Sequence, residues 1–563
     1  MNVTFSHDYT RICMLRFFSF LNRRGRMKSR LSVAVAAAVA MATLLAAGCS
    51  SSPATQPASG ANPAAAARAA ATIPLLTGGD VGAYSTIDPN QTEGCNDNYC
   101  GLFMEHLLQP GPNSTLQPEL ATSWAQTSPV TYVYHLRTGV TFWDGTPMTS
   151  ADVVYSLEYQ QDGKGPNSAA VNFTNVKSLA ADGPSTVVIT LKQPDNNWKY
   201  TLSYEGVIFE KKFAEAHQGT LGSPGVLIQA SGPWQVTSYD PTRGMELSAN
   251  PHWWGGKVPV QHITVKFFST ESSEALAMRA GEIDVAFPGN GTSFASSAGS
   301  GAHVTSWPSP QLAMFAMNVK QAPWNDVHVR RAVADALNRT DIIAANGGSL
   351  TARPASTVIS PTELATVGSP SQVTALLNAL PQYPYDLAKA KQELAQSAYP
   401  HGFTATTDID NGTVGATDVN DIQVIAAELQ KIGITLKVKE VSENAYINAY
   451  TNAPGGDLFE HLGAVSPDPG IFPSYCLDST APFNVAHYAS PTVDSLLAKG
   501  VSSRSPAQRL ASYGQVLAQV ATDVPYVTLL APNSFTALSS KYTLPAFPAF
   551  AGFFSWALGI KQA

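Results

Sequence analysis

Hydrophobic positions along this chain recur in short runs whose period switches between two and about 3.6. The stretch YVYHLRTGVTFWDGTPMTSADVVYSLEY, residues 132–159, shows the pattern in miniature. YVYHL is rich in β-formers and reads as a strand. Thr138-Gly139 supplies a turn, VTFW resumes an extended pattern, and Asp144-Gly145 followed by Pro147 is strong turn chemistry. Thr149 with Asp152 three residues on fits a capping box, and Val153, Val154 and Leu157 mark the apolar stripe of the helix that follows. The run predicts strand, turn, strand, turn and helix, and holds no obvious nucleophile, no metal cluster and no phosphate loop.

The same alternation continues from about Ile73 to the end. QLAMFAMNV predicts a strand, APWNDVHV a turn and RRAVADALNRTDII a helix. DLAKAKQELAQSAY predicts another helix, and DVNDIQVIAAELQKIGITLKVKEV a helix, a glycine and a strand. Near the end Val493, Leu496 and Leu497 mark one helix, and Leu510, Tyr513, Val516, Leu517 and Val520 mark a longer one. Pro525 ends it, and YVTLL reads as a buried strand. No repeat period is visible. The pattern predicts an α/β chain with mixed sheets, and 563 residues predict two or three domains.

Charge changes the picture at the N-terminus. Residues 1–48 carry seven of the 34 basic groups and one of the 41 acidic ones. Without them 27 basic groups face 40 acidic, a net charge of −13. Such a body is a poor partner for nucleic acid. MKSRLSVAVAAAVAMATLLAAGC has basic Lys28 and Arg30, an apolar run from Leu31 to Ala47, then Gly48-Cys49. The run is short for a membrane span and ends in small residues, as a cleaved export signal does. It resembles a bacterial lipoprotein signal in which Cys49 is lipidated and becomes the new N-terminus. Ala46 stands where Leu is commoner, and an ordinary signal with an incidental cysteine is the alternative. Residues 1–26 are superfluous to such a signal, so Met27 is an alternative start. Residues 49–72, small and rich in Pro, Ser and Ala, read as a flexible tether. The expectation is a protein anchored on the outer face of the cytoplasmic membrane by lipid rather than by a span.

In that oxidising compartment Cys95 and Cys100 are close enough in GCNDNYC to bridge a short loop. A pair between Cys476 and either of them is the alternative. The cysteine spacing fits no zinc pattern. No G-x-S-x-G, H-E-x-x-H, G-x-x-x-x-G-K-[ST] or S-x-x-K occurs, so the sequence offers no catalytic motif.

Taken in order, six segments resemble one family. HLRTGVTFWDGTPMTSADVVYSL is similar to the strand-and-helix signature of the family 5 extracellular solute-binding proteins, receptors of bacterial ABC importers for peptides, oligopeptides or nickel. STIDPNQ with LFMEHLLQP and LQPELATSW, then SGPWQVTSYDPTRGMELSANPHWWGG, follow the same family. So do AMRAGEIDVAF, MNVKQAPWNDVHVRRAVADALNR and YPYDLAKAKQELAQSAYPHGF. The resemblance runs from about Thr72 to about Ser540. It implies a two-lobed α/β fold like that of periplasmic binding proteins, of the large three-domain type II variety, with mixed sheets and two hinge strands. Lobe I is expected over 73–309 and 530–563, with an inserted subdomain at about 111–225, and lobe II over 310–529. Hinges are expected near Pro308–Asn318 and Val524–Ser534, closing around a solute.

The resemblance also implies where the solute sits. Peptide-binding members hold the ligand ammonium with an Asp three residues before an Asp-Pro or Glu-Pro. Here Asp468-Pro469 puts Val465 at that position. A buried ammonium needs an anionic partner, so the usual anchor is missing. Asp468 itself or Asp97 is the candidate substitute. Ligand contacts are expected among Tyr84, Asn96, Asp97, Trp307, Ser466, Asp468, Tyr475 and Asn484, a structural role standing beside each. His461 and His487 flank the segment without metal-ligand spacing, so no metal site and no cofactor is expected. The expected function is capture of a peptide or peptide-like solute by a monomer that delivers it to separate permease and ATPase subunits. Alternatives are an oligosaccharide, metal chelate or haem cargo, or a signalling or chaperone lipoprotein; an enzyme is not expected.

Overall fold

Tyr526–Leu538 is a 13-residue strand opening with YVTLL, aromatic and β-branched residues that suit a strand buried on both faces. In the computed structural model it is the spine of the molecule. The residues described are 72–81, 86–90, 97–111, 115–163, 169–309, 311–410, 415–441, 457–463, 467–481, 484–545 and 555–563. Cys49 and the segments before and after it lie outside them. Among the described residues no helix is long and apolar enough to cross a membrane.

The spine joins two halves of one twelve-stranded mixed sheet. Its first part pairs antiparallel with Gln311–Ala316, from Ala316 opposite Tyr526 to Ala313 opposite Leu530. Its second part pairs antiparallel with His303–Pro308, from Pro308 opposite Asn533 to His303 opposite Leu538. The chain therefore passes between the halves twice, side by side, at 308–311 and at 532–533. Beyond Val285–Ala286, one half continues through Ile73–Val81, Val260–Phe268, Gly244–Ala249 and Trp234–Asp240, with Ile73–Val81 parallel to Val260–Phe268. Beyond Gln311–Ala316, the other half continues through Asp457–Gly463, Phe403–Asp410 and Ile434–Val441. The last two are parallel, and the helix Gly415–Gln430 makes the crossover they require.

A separate four-stranded antiparallel sheet sits between Ile73–Val81 and Trp234–Asp240 in the chain. Its order is Ala121–Ser128, Thr131–Leu136, Thr186–Leu191 and Val176–Ala181. The helix Ser150–Gln161 covers it, burying Val153 and Leu157. The capping box forms: Asp152 accepts from the Thr149 backbone N–H at 2.9 Å. VTFW is not a strand. Only one bridge forms, Thr141 opposite Pro147, because turns at Gly139 and Gly145, both at positive φ, leave too few residues to pair. The Asp144 carboxylate closes the second turn, accepting from the Thr146 N–H at 2.8 Å.

The polar residues of the six quoted segments act as internal staples. Arg330 is buried and donates to the carbonyls of Asp523 and Trp324 at 2.8 and 2.6 Å. Arg339 donates to the carbonyls of Ala355, Tyr383 and Thr528. Asp284 of AGEID accepts from the Thr77 N–H, Ser539 Oγ and Lys541 Nζ, tying the first strand to the end of the spine. Asp386 caps the helix Leu387–Ala395. Glu105 of MEHLL lies 1% exposed beneath HWWGG. It accepts from Trp253 Nε1 at 2.9 Å, Trp254 Nε1 at 2.8 Å and Ser231 Oγ at 2.6 Å. These contacts join residues distant in sequence, so the segments hold the frame together whatever the molecule binds.

Candidate functional site

The double passage between the sheet halves is where residues from both can face one space. Trp307 lies one residue before it, half-buried, with its Nε1 donating to Thr536 Oγ1 at 3.2 Å. Arg353 reaches across, donating to Asn533 Oδ1 at 3.2 Å, and burial holds its pKa below the usual arginine value. Asn533 in turn donates to the Leu350 carbonyl at 3.0 Å. Side-chain hydrogen bonds thus accompany the backbone through the passage.

Asp97 begins the four-residue helix Asp97–Cys100. Two contacts place that helix. Tyr99 is buried and its hydroxyl donates to the Gly79 carbonyl at 2.6 Å, and Trp556 Nε1 donates to the Asn98 carbonyl. Gly78 is required here, since a Cβ would meet the Tyr99 hydroxyl at 2.5 Å. Cys100 is disulfide-bonded and Cys476 is a buried free thiol, which excludes a bridge between them. Tyr84, Cys95, Asn96, Val465 and Ser466 lie outside the described residues, as do the side chains of Asp97 and His461.

Two expected ligand residues are engaged elsewhere. Asp468 is 1% exposed, and both its oxygens lie 2.6 Å from Arg509 Nη2. Its Oδ1 also accepts from the Gly470 N–H at 2.9 Å, closing the Asp-Pro turn. Burial works against the Arg509 charge, and the Asp468 carboxylate more than offsets this, leaving its pKa raised. A carboxylate so neutralised is a poor anchor for a ligand ammonium. Asn484 is buried, with its amide donating to the carbonyls of Asp478 and Tyr488 and its oxygen accepting from the Tyr488 N–H at 2.9 Å. It holds its own loop, with both amide hydrogens donated within it. Tyr475 is half-buried in the helix Ile471–Cys476 and packs against the core of the second half. His487 is half-buried, and burial, with Lys320 nearby, lowers its pKa. Among the described residues no three His, Cys, Asp or Glu side chains cluster as a metal site.

The sequence reading missed a place where the inserted-sheet region meets the second half. Asn196, next to the inserted sheet, donates from its side chain to the carbonyls of Val501 and Ser503, both at 2.6 Å. Arg504 donates to the Gln126 carbonyl at 3.0 Å. These contacts border a cavity of about 260 Å³ lined from one side by Trp124, Tyr132 and Lys199 and from the other by Val367, Arg504 and Arg509. Its two sides come from distant parts of the chain, and no local pattern marks them.

Residues 115–484 match the model of the bacterial extracellular solute-binding proteins, family 5, middle region. The chain belongs to that family. It is 24% identical over 476 residues to the glutathione-binding protein GsiB of Escherichia coli strain K12, spanning 82% of this chain and 89% of that protein. The substrate-binding protein CtaP of an ABC transporter of Listeria monocytogenes superposes with a TM-score of 0.73 at 21% identity, covering 87% of this chain and 99% of that one. The binding protein DppA of Helicobacter pylori, solved with the peptide STSA, gives 0.67 at 23% identity over 87% and 98% of the chains. The fold is accordingly the mixed α/β fold of large periplasmic binding proteins. As a family 5 protein the chain is an extracytoplasmic substrate-binding component of an ABC importer and not an enzyme.

Proposed function

We propose that this family 5 protein captures a peptide or peptide-like solute between two lobes and hands it to a permease driven by separate ATPase subunits. The observation that carries the reading is the double passage at 308–311 and 532–533, two adjacent crossings that suit a hinge. On this reading lobe I comprises 73–309 and 530–563, with the insertion at about 111–225, and lobe II comprises 310–529. The relatives named for glutathione and for a bound peptide support the cargo class. The neutralised Asp468 and Val465 disfavour a dipeptide gripped by its ammonium and favour a longer, blocked or modified peptide held through backbone hydrogen bonds. Lipid attachment at Cys49 and a Cys95–Cys100 bridge stiffening the Asp97 loop complete the picture.

Native mass spectrometry of protein purified without refolding tests the cargo. A bound peptide-like solute is expected; recovery of only a glycan or metal chelate would contradict the cargo class. Cys49→Ala tests the anchor and is expected to leave an unprocessed or released form, whereas normal membrane retention would contradict lipidation.

A further inference from the structure

The cavity between the inserted sheet and the second half plays no part in the reading above, and the charged side chains that line it are all cations. Three cations line it, Lys199, Arg504 and Arg509. Arg509 is engaged by Asp468. Arg504 is exposed and gives its hydrogen bond to a backbone carbonyl. Lys199 is half-buried, and among the described residues no hydrogen bond or ion pair engages its ammonium, which lies 4.8 Å from the Tyr200 ring centre. Asp195 is turned onto its own chain, accepting from the Asn197 N–H at 2.9 Å. Pro506, in the first turn of the 18-residue helix Pro506–Asp523, also lines the cavity, so the start of that helix borders the same space.

A partly dehydrated ammonium is costly, and burial lowers the Lys199 pKa, the Asp468 carboxylate opposing only part of that shift and Arg509 adding to it. An anion beside it would remove that cost and would meet Arg504 and the helix end as well. The walls suit a small ligand: Trp124 and Tyr132 give flat surface, and about 260 Å³ holds a few heavy atoms with water.

We propose that this cavity is a binding site for a small oxyanion, a carboxylate or a phosphate group, held by Lys199 together with Arg504 and the start of the helix at Pro506. An anion bound there bridges the inserted sheet and the second half, adding to the Asn196 and Arg504 contacts that already join them. The site does not depend on which solute the main cleft takes.

Calorimetric titration of the full mature protein with succinate and, separately, with inorganic phosphate tests the proposal. Saturable binding of at least one is expected, and the tighter of the two assigns the class. Lys199→Gln is expected to weaken it on the order of tenfold, the loss of one charge-assisted contact. Lys199→Arg is expected to retain most of the affinity, and Lys177→Gln, at an exposed lysine of the inserted sheet, to leave it unchanged. Absence of saturable binding of both anions, or equal binding by Lys199→Gln and the parent, would overturn the proposal.

Discussion

Glu105 and Asp468 are both buried carboxylates, one in each half of the molecule, and their charge is met in opposite ways. Asp468 faces a guanidinium and remains a counter-ion; Glu105 faces two indole N–H groups and a hydroxyl. Burial raises the Glu105 pKa, the Ser231, Trp253 and Trp254 donors offsetting only part. Arg137 sits 3.8 Å over the Trp254 ring, a cation held one ring away from the acid. The comparison teaches that a conspicuous buried acid can find its partners inside the protein. Both have partners within the frame, one through charge and the other through dipoles.

Breaking the ion pair should have the largest effect. Arg509→Met leaves Asp468 buried without its counter-ion and is expected to cost about 3–5 kcal/mol in urea unfolding. The double variant Asp468→Asn, Arg509→Met keeps the Gly470 contact and should recover much of that loss. A double variant no more stable than Arg509→Met would show that the charge is not the issue.

The second effect is one of pH. Glu363 is fully buried near Asp468, and burial, with Asp468 adding to it and Ser360 only partly opposing it, pushes its pKa up to about 7. The folded state therefore holds this proton more tightly than the unfolded chain, whose ordinary value is 4.5. Stability from this group is full below pH 4.5 and is lost as pH rises through about 7. The range corresponds to about 3 kcal/mol at most. Melting temperatures from pH 4.5 to 8 should fall less for Glu363→Gln than for the parent; parallel curves would contradict the assignment.

Glu105 comes third. Glu105→Ala strands two indoles and a hydroxyl and should cost about 2 kcal/mol or more. Glu105→Gln can accept from both indoles and donate to Ser231, and should cost under about 1 kcal/mol. The same substitution at Asp468 removes a charge that Arg509 needs, so Asp468→Asn should cost more than Glu105→Gln. Equal costs would erase the distinction between the two centres.

The smallest effect is expected at the Thr149 cap, which belongs to neither centre. Thr149→Ala should cost about 1 kcal/mol in the same unfolding measurement. That cap was legible in the sequence because all its partners lie within three residues. So were the helix that Pro525 ends and the strand after it, whose residue types match burial on both faces. VTFW misled because its residues favour strand while the turns on either side deny it a partner. Six segments in order marked the family, yet what their polar residues do was hidden, since Glu105 meets Trp253 across 148 positions. The Asp468–Arg509 pair spans 41 positions, so no local pattern showed that this acid has a cationic partner. Lys199 and Arg504 were invisible for the same reason: only the folded chain brings them to one cavity.

The central claim, capture by closure about the double passage, is tested most directly by small-angle X-ray scattering on two preparations of the same protein. One is purified with its solute; the other is stripped by unfolding and refolded without it. The account predicts a larger radius of gyration for the stripped protein and return to the compact profile when the recovered solute is added back. Identical profiles at saturating solute would contradict hinged closure.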